Sequence, residues 1–411
     1  MDLKKIARLI IDKTIQDILP ENLVKNKLKE LKINQEVYVL SIGKAAWRMA
    51  KAASEVLKVK KGIVITKYGH SMGNIDNFEI FEAGHPIPDE NSLKATKHVI
   101  ENFGNLNKND HLIFLVSGGG SALFELPEEG ITLEEIQDIT SQLLKSGADI
   151  VEINTIRKRL SMVKGGKFAN IVYPAEITAL VLSDVLGDRL ESIASGPAYP
   201  DITTNDEALK IVEKYNLKVS EKILKALKKE TPKEINNAVH YVIGSVENAC
   251  KTLEKYAKNE GFNTYILTTQ LNCEAKEAGR FIASIAKSIN QTTFEVPACI
   301  IFGGETVVKV IGQGKGGRNQ ELAFSAALEI EGMKNVVIAS VGSDGTDGPT
   351  DAAGGIVDGE TTFKIKKLGK NPHEFLKNND TYNGLLLAGD LLKTGPTGTN
   401  VNDFGFLLIG G

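Results

Sequence analysis

Short apolar runs recur along the chain, separated by stretches with helical periodicity. They lie at Val37–Ile42, Gly62–Thr66, Leu112–Ser117, Ile177–Ser183, His240–Gly244, Thr264–Thr269, Ala298–Gly303 and Val336–Gly342. The runs are almost continuously apolar and rich in Val and Ile, not alternating, which predicts strands covered on both faces. Strands alternating with helices in this way predict an α/β protein with mainly parallel sheets, Rossmann-like in its N-terminal half. The opening stretch "MDLKKIARLIIDKTIQDIL" spaces its aliphatics as an amphipathic helix does and has no small-residue cleavage site. Between about residues 205 and 238 a Lys/Glu-rich, strand-free segment reads as a peripheral connection. It divides the chain into an N-terminal domain, 1–237, and a C-terminal one, 238–411.

Composition narrows the picture. At 411 residues the chain is too long for one ordinary core, which agrees with two domains. No apolar run approaches the roughly 18 residues of a membrane span, and three cysteines without ligand spacing favour a reducing, cytoplasmic setting. A net charge of −3 gives no global attraction for nucleic acid. Among the basic residues only seven are arginine, so an arginine beside a glycine loop stands out. Its planar fork holds carboxylate or phosphate in a way lysine cannot.

In open α/β sheets ligands bind beyond the carboxyl ends of the strands, so the residues after each run are the candidates. After Leu112–Val116 comes Ser117-Gly118-Gly119-Gly120-Ser121 and a helix start. Glycines let successive N–H groups converge on an anion, and a helix N-terminus favours negative charge. This predicts a phosphate loop; the alternative is a tight turn that needs glycine for packing. It is not a Walker A loop, because no Gly-Lys-Ser/Thr follows. Gly43-Lys44 follows the first run, and its lysine is either a phosphate- or carboxylate-binding group or a solvated side chain. Asp184 and Asp188 follow the fourth run, where a carboxylate suits Mg²⁺ or caps a turn. Gly303-Gly304-Glu305 precedes the strand-like "TVVKVIG", and Arg318 opens a clear helix. Asp344, Asp347 and Asp351 lie in a glycine-rich loop without the spacing of a calcium site. The cluster Arg157, Lys158, Arg159, Lys164 and Lys167 reads either as a solvated helix face or as a second anion cradle. Gly312, Gly314 and Gly317 formally spell G-x-G-x-x-G, which keeps a hydroxypyruvate reductase using NAD(P)H as the alternative activity. No acid ends the next strand at the expected spacing. A glycine-rich anion loop, strand-end carboxylates and two cations, without catalytic His or Cys signatures, suit phosphoryl transfer.

The motifs "SGGGSALFELP", "NTIRKRLSMVKGGKFA", "LSDVLGD", "ASGPAYPD", "GGETVVKVIGQGKGGRNQELAF", "GSDGTDGPTDAAGG" and "GPTGTNVNDFGFLLIG" follow one another as in the class II glycerate 2-kinases, the family carrying the MOFRL domain. The chain resembles that family over nearly its whole length. The resemblance implies two α/β domains with the active site in the cleft between them. It implies ATP and a divalent cation such as Mg²⁺ as cosubstrates, and conversion of D-glycerate to 2-phosphoglycerate. It implies functional roles for Lys44 and Arg318 and maps the glycine loop to Ser117–Ser121. On this reading Lys44, Arg318, Asp184 and Asp188 are catalytic, and Lys44, Arg318 and Asp347 bind substrate. Asp184 and Glu305 are metal candidates, inferred from their strand-end positions. Many relatives carry histidine where Arg159 stands, which leaves a charge role there. Small molecules are the expected partners, and homodimerisation is left open.

Overall fold

The structure, a computed structural model, describes residues 2–291 and 293–411. It divides into two compact units, residues 23–243 and residues 1–22 with 244–411.

The first unit is built on a six-stranded sheet of β1 (Val37–Ile42), β2 (Val59–Lys67), β3 (Phe78–Ala83), β4 (His111–Val116), β5 (Glu176–Leu182) and β6 (Ala238–Gly244). Its order is β3-β2-β1-β4-β5-β6, and the ladders from β3 through β5 are all parallel. Both faces are covered, as the apolar runs predict. Leu40, Ile42, Phe114, Val116, Ala179 and Val181 enter one core cluster, while Val37, Val39, Ile113, Leu115, Leu180 and Leu182 enter the other. This is the doubly wound order, in which the chain reverses its direction of winding between β1 and β4. Ligands of such sheets bind at that reversal.

The second unit carries β7 (Asn263–Leu271), β8 (Ala298–Gly304), β9 (Val336–Gly342), β10 (Gly354–Asp358), β11 (Leu391–Leu392) and β12 (Asp403–Ile409). Its order is β11-β10-β9-β12-β8-β7. This sheet is mixed, whereas a mainly parallel one was expected. Only β7 and β8 pair in parallel, and β12 runs antiparallel to both β8 and β9. The last strand inserts itself at the centre of the sheet, and every residue of it is buried.

Two boundaries differ from the sequence reading. The first sheet continues through β6, so the division falls near 243 rather than 237. The amphipathic helix Leu3–Asp17 joins the second unit, tied by Lys4 to Asp390 (2.7 Å) and by Tyr256 Oη to Asp17 (2.5 Å). The Lys/Glu-rich segment also does more than connect. Its helices Asn205–Lys214 and Glu221–Leu227 bury Ala208, Ile211, Ile223 and Leu227 against Ile153 and Ile156 of the first unit.

Phe114 is 1% exposed and packs against Phe168 with ring centroids 5.4 Å apart, beside Phe124. Phe114→Ala is expected to lower the unfolding free energy by about 3–5 kcal/mol. Ile202→Ala, at a position 77% exposed, should change it by no more than about 0.5 kcal/mol. Urea unfolding followed by far-UV circular dichroism checks both.

Candidate active site

At the reversal point β1 and β4 run side by side, so the segments leaving them meet. Gly43 has φ +114°, and a Cβ there would lie 2.2 Å from Ser117 Oγ and 2.4 Å from Ser117 O. Only glycine tolerates both the conformation and the contact. The two segments are cross-linked. Lys44 N donates to Gly118 O (2.9 Å), Ala45 N donates to Ser117 Oγ (3.1 Å), and Ser117 Oγ donates to Ile42 O (3.2 Å). Ser117 therefore braces the loop with its hydroxyl already engaged.

The triglycine loop turns tightly, with Gly119 at φ +88°. The amides of Gly118 and Gly119 enter no backbone hydrogen bond among the described residues. The helix after them, Gly120–Leu123, is a single turn. The expected helix-dipole contribution is correspondingly small, and affinity for an anion has to come from the loop amides and side-chain cations. Lys44 supplies one: its Cγ would be 3.3 Å from a Cβ on Gly119. His85, not singled out in the sequence, lies on the same glycine, its Cδ2 2.9 Å from that Cβ position. His70 Nδ1 contacts Lys44 O at 3.1 Å. Burial lowers the His85 pKa, and the positive charges of Lys44, Lys67 and His70 lower it further.

Asp184, directly after β5 and Ser183, lies against the loop: its Oδ2 would be 2.1 Å from a Cβ on Gly118. Asp188 holds φ +52°, and its Oδ1 is enclosed with no hydrogen-bond partner among the described residues. Ser121 Oγ meets Ser195 Oγ at 3.0 Å, and Ser195 Oγ donates to Asn154 Oδ1 (3.0 Å).

Four members of the basic cluster, Lys158, Arg159, Lys164 and Lys167, form neither a solvated face nor a second cradle, because each is paired internally. Lys158 pairs with Asp201 (3.1 Å), and the fully buried Arg159 bonds Thr155 O, Thr203 and Asp201. Lys164 pairs with Glu125 (2.5 Å) and Lys167 with Glu128 (2.7 Å). These charges fasten the helix Ile150–Leu160 and the Lys-Gly-Gly-Lys turn to the loops around them. The charge role left for Arg159 is this internal one.

In the second unit, Arg318 begins the helix Arg318–Glu329. A cation there opposes the helix dipole, and three carboxylates offset it. Arg318 Nε and Nη2 donate to the two oxygens of Asp403 (2.5 and 3.1 Å), and Nη1 donates to Glu305 Oε1 (2.9 Å). The buried Asp347 caps the helix from the loop after β9, accepting from Asn319 N (3.1 Å) and Gln320 N (2.8 Å). Gln320 Nε2 donates to the same carboxylate at 3.0 Å. Expected to bind substrate, Asp347 has its oxygens engaged in holding the helix. Glu305, a metal candidate, faces the guanidinium, and Asp351 is paired with Lys393 (2.8 Å). Burial works against the charge of Arg318, yet its hydrogen bonds and attraction to Asp403 raise its pKa overall. Burial pushes Asp403 up to about 6 against the pull of Arg318. Sequence reasoning missed Asp403, although an acid opening an otherwise apolar strand was its signal.

"TVVKVIG" forms no strand. At its end and just after it, the amides of Ile311 and Gly312 donate to Asn379 Oδ1 (both 2.9 Å), Gly314 N to Asn378 O (2.9 Å) and Lys315 N to Asp380 Oδ1 (2.9 Å). The formal G-x-G-x-x-G thus packs on residues 378–380 with those amides occupied, and it does not form a strand-to-helix dinucleotide turn. Among the described residues no group of three His, Cys, Asp or Glu side chains is arranged to hold a metal. Among the described residues no helix is long and apolar enough to cross a membrane.

Residues 6–228 match the Domain of unknown function DUF4147, and residues 298–403 match the MOFRL family. A D-glycerate 2-kinase of Thermotoga maritima is 58% identical over 99% of this chain and 98% of its own. A crystal structure of glycerate kinase from Thermotoga maritima superposes with a TM-score of 0.97 over 99% of both chains, at 58% identity. A protein of Agrobacterium vitis called "Putative hydroxypyruvate reductase" is 36% identical over 99% of this chain and 94% of its own.

His85 sits against the loop proposed to take phosphate, which gives a direct readout. Its folded-state pKa lies below the ordinary 6.5. The associated stability is therefore present above pH 6.5 and is lost as pH falls toward the lowered value. The His85 ring resonance, assigned through His85→Gln, should titrate below 6.5 in the free protein. Saturating ADP should move the midpoint upward, and an unmoved midpoint would place the phosphates elsewhere.

Proposed function

Since the chain belongs to the glycerate 2-kinase family that joins a DUF4147 domain to a MOFRL domain, we propose that it is an ATP-dependent D-glycerate 2-kinase giving 2-phosphoglycerate and ADP. The observation that carries the reading is the triglycine loop with Lys44 at the strand-order reversal, where a doubly wound sheet receives phosphates.

The amides of Gly118 and Gly119 and the ammonium of Lys44 take nucleotide phosphate oxygens. Lys44 offsets the charge that builds on the transferring group, and His85, its pKa lowered by burial and by the neighbouring positive charges, adds no charge of its own near pH 7. Phosphoryl transfer forms a bond from the glycerate 2-oxygen to the γ-phosphorus and breaks the bond to the ADP oxygen. The proton of the 2-hydroxyl passes to a carboxylate of the segment after β5, where Asp188 has an unengaged oxygen and Asp184 is the other candidate.

Arg318 is held by Asp403 and Glu305 through three of its five N–H donors. The remaining two take the glycerate carboxylate or the γ-phosphoryl group. Glu305 and Asp347 act on Arg318, one holding its fork and the other capping its helix. The donor set suits Mg²⁺, which takes one carboxylate together with phosphate oxygens and water. Asp184 would be that carboxylate, and a bound ion would neutralise phosphate charge.

The reductase reading finds no support in the glycine segment 312–317, where the amides of residues 312 to 315 are engaged internally. In ³¹P NMR with ATP, Mg²⁺ and D-glycerate, the protein should give 2-phosphoglycerate. Lys44→Ala and Arg318→Ala should each lower kcat/KM by about 100-fold or more. Oxidation of NADH by hydroxypyruvate with no phosphorylated product would overturn the proposal.

A further inference from the structure

Arg157 projects from the helix Ile150–Leu160 to the far end of the triglycine loop, where its Nη2 donates to Ser121 O at 3.1 Å. The other four cations of this cluster are each paired with a carboxylate: Asp201 with Lys158 and Arg159, Glu125 with Lys164 and Glu128 with Lys167. Arg157 forms no ion pair among the described residues, and its Nε is enclosed without a partner. The carboxylate acting on it through space is Glu125. One oxygen of Glu125 is held by the fully buried Lys164 at 2.5 Å, and the other accepts no hydrogen bond.

Arg157, Lys164 and Glu125 therefore bring two cations and one carboxylate together beneath the loop. Burial and the charge of Arg157 lower the Lys164 pKa to about 8 against the pull of Glu125, so the lysine is still protonated at neutral pH. One excess positive charge is left in a poorly solvated place, an arrangement that is destabilising until an anion offsets it. Arg157 as a residue is partly exposed, while its Nε is enclosed. With one donor engaged, the fork retains the geometry that binds an oxyanion bidentately. On the same helix, Asn154 orders the hydroxyls of Ser195 and Ser121 beside it.

We propose that Arg157 binds an anionic oxygen of the ligand seated on the triglycine loop, a phosphate oxygen of the nucleotide or the carboxylate of the acceptor, as a second cation opposite Lys44. This rests on the kinase reading for the identity of the ligand but not for the existence of the site.

Arg157→Met and Arg157→Lys in the full chain test it. Each is compared with wild type in KM for ATP, KM for D-glycerate and kcat, with ADP and D-glycerate affinities measured by calorimetry. Arg157→Met should raise one KM by about tenfold or more and weaken the matching ligand in parallel, with a smaller change in kcat. Arg157→Lys should restore only part, because the fork is lost with the charge kept. A rise for ATP with ADP assigns the oxyanion to phosphate, and a rise for glycerate assigns it to the carboxylate. Both KM values and both affinities within twofold of wild type overturn the proposal, as does a loss confined to kcat or thermal stability, which marks a tether between helix and loop. If Arg157→Met does not fold, Arg157→Lys is judged by the same criteria. If wild type transfers no phosphoryl group to glycerate, the kinase reading fails, and the two affinities still decide for or against Arg157.

Discussion

The first unit depends on two backbones leaving the sheet almost in contact. β1 and β4 are neighbours, and Gly43 meets Ser117 so closely that no side chain fits between them. That contact sets the course of everything beyond the strand ends. Lys44 is anchored by its own amide to Gly118, the Ser117 hydroxyl ties both segments, and Gly119 turns so that Lys44 and His85 lie along one side. The site is therefore preorganised by backbone hydrogen bonds on a rigid sheet and needs no long flexible loop. A loop and a lysine fixed in this way before any ligand arrives are what the proposed electrostatic stabilisation of phosphoryl transfer requires.

The second unit meets a different problem, a cation at the wrong end of a helix. Arg318 is kept there by a two-point hold from Asp403, a third bond from Glu305 and an N-terminal cap from Asp347. These carboxylates come from three loops or strand ends that are distant in sequence. The guanidinium is fixed in direction by groups that leave two donors open. Arginine is suited to this and lysine is not, because the fork can be gripped on one side and still present N–H groups on the other.

Much of this was legible in the sequence because strands buried on both faces are nearly continuously apolar, and all eight apolar runs became strands, the edge strands β6 and β7 among them although they are largely not buried. The edge strand β3, "FEIFEA", escaped because its glutamates face solvent, and β12 escaped because its apolar run follows a glycine- and asparagine-rich segment. The triglycine loop and Lys44 could be picked out from local chemistry. That they are neighbours could not, since strand order is a property of the sheet. The buried charges were the hardest to read. Lys158, Arg159 and Lys164 look in sequence like a solvated face, and only the fold shows that Asp201 and Glu125 lie opposite them. Asp347 was read as a ligand-facing acid for the same reason. A remote cap is invisible until the loop after β9 is seen over the helix it caps.

The central claim is that nucleotide phosphates sit on the segments leaving β1 and β4. Titrating ADP into ¹⁵N-labelled protein and following the backbone amides tests it most directly. The account predicts that the largest shifts fall on Gly43, Lys44, Gly118, Gly119 and Gly120, with the Gly118 and Gly119 amides moving downfield as they gain an acceptor. Shifts concentrated on Ile311 to Gly317, with the triglycine amides unmoved, would contradict it.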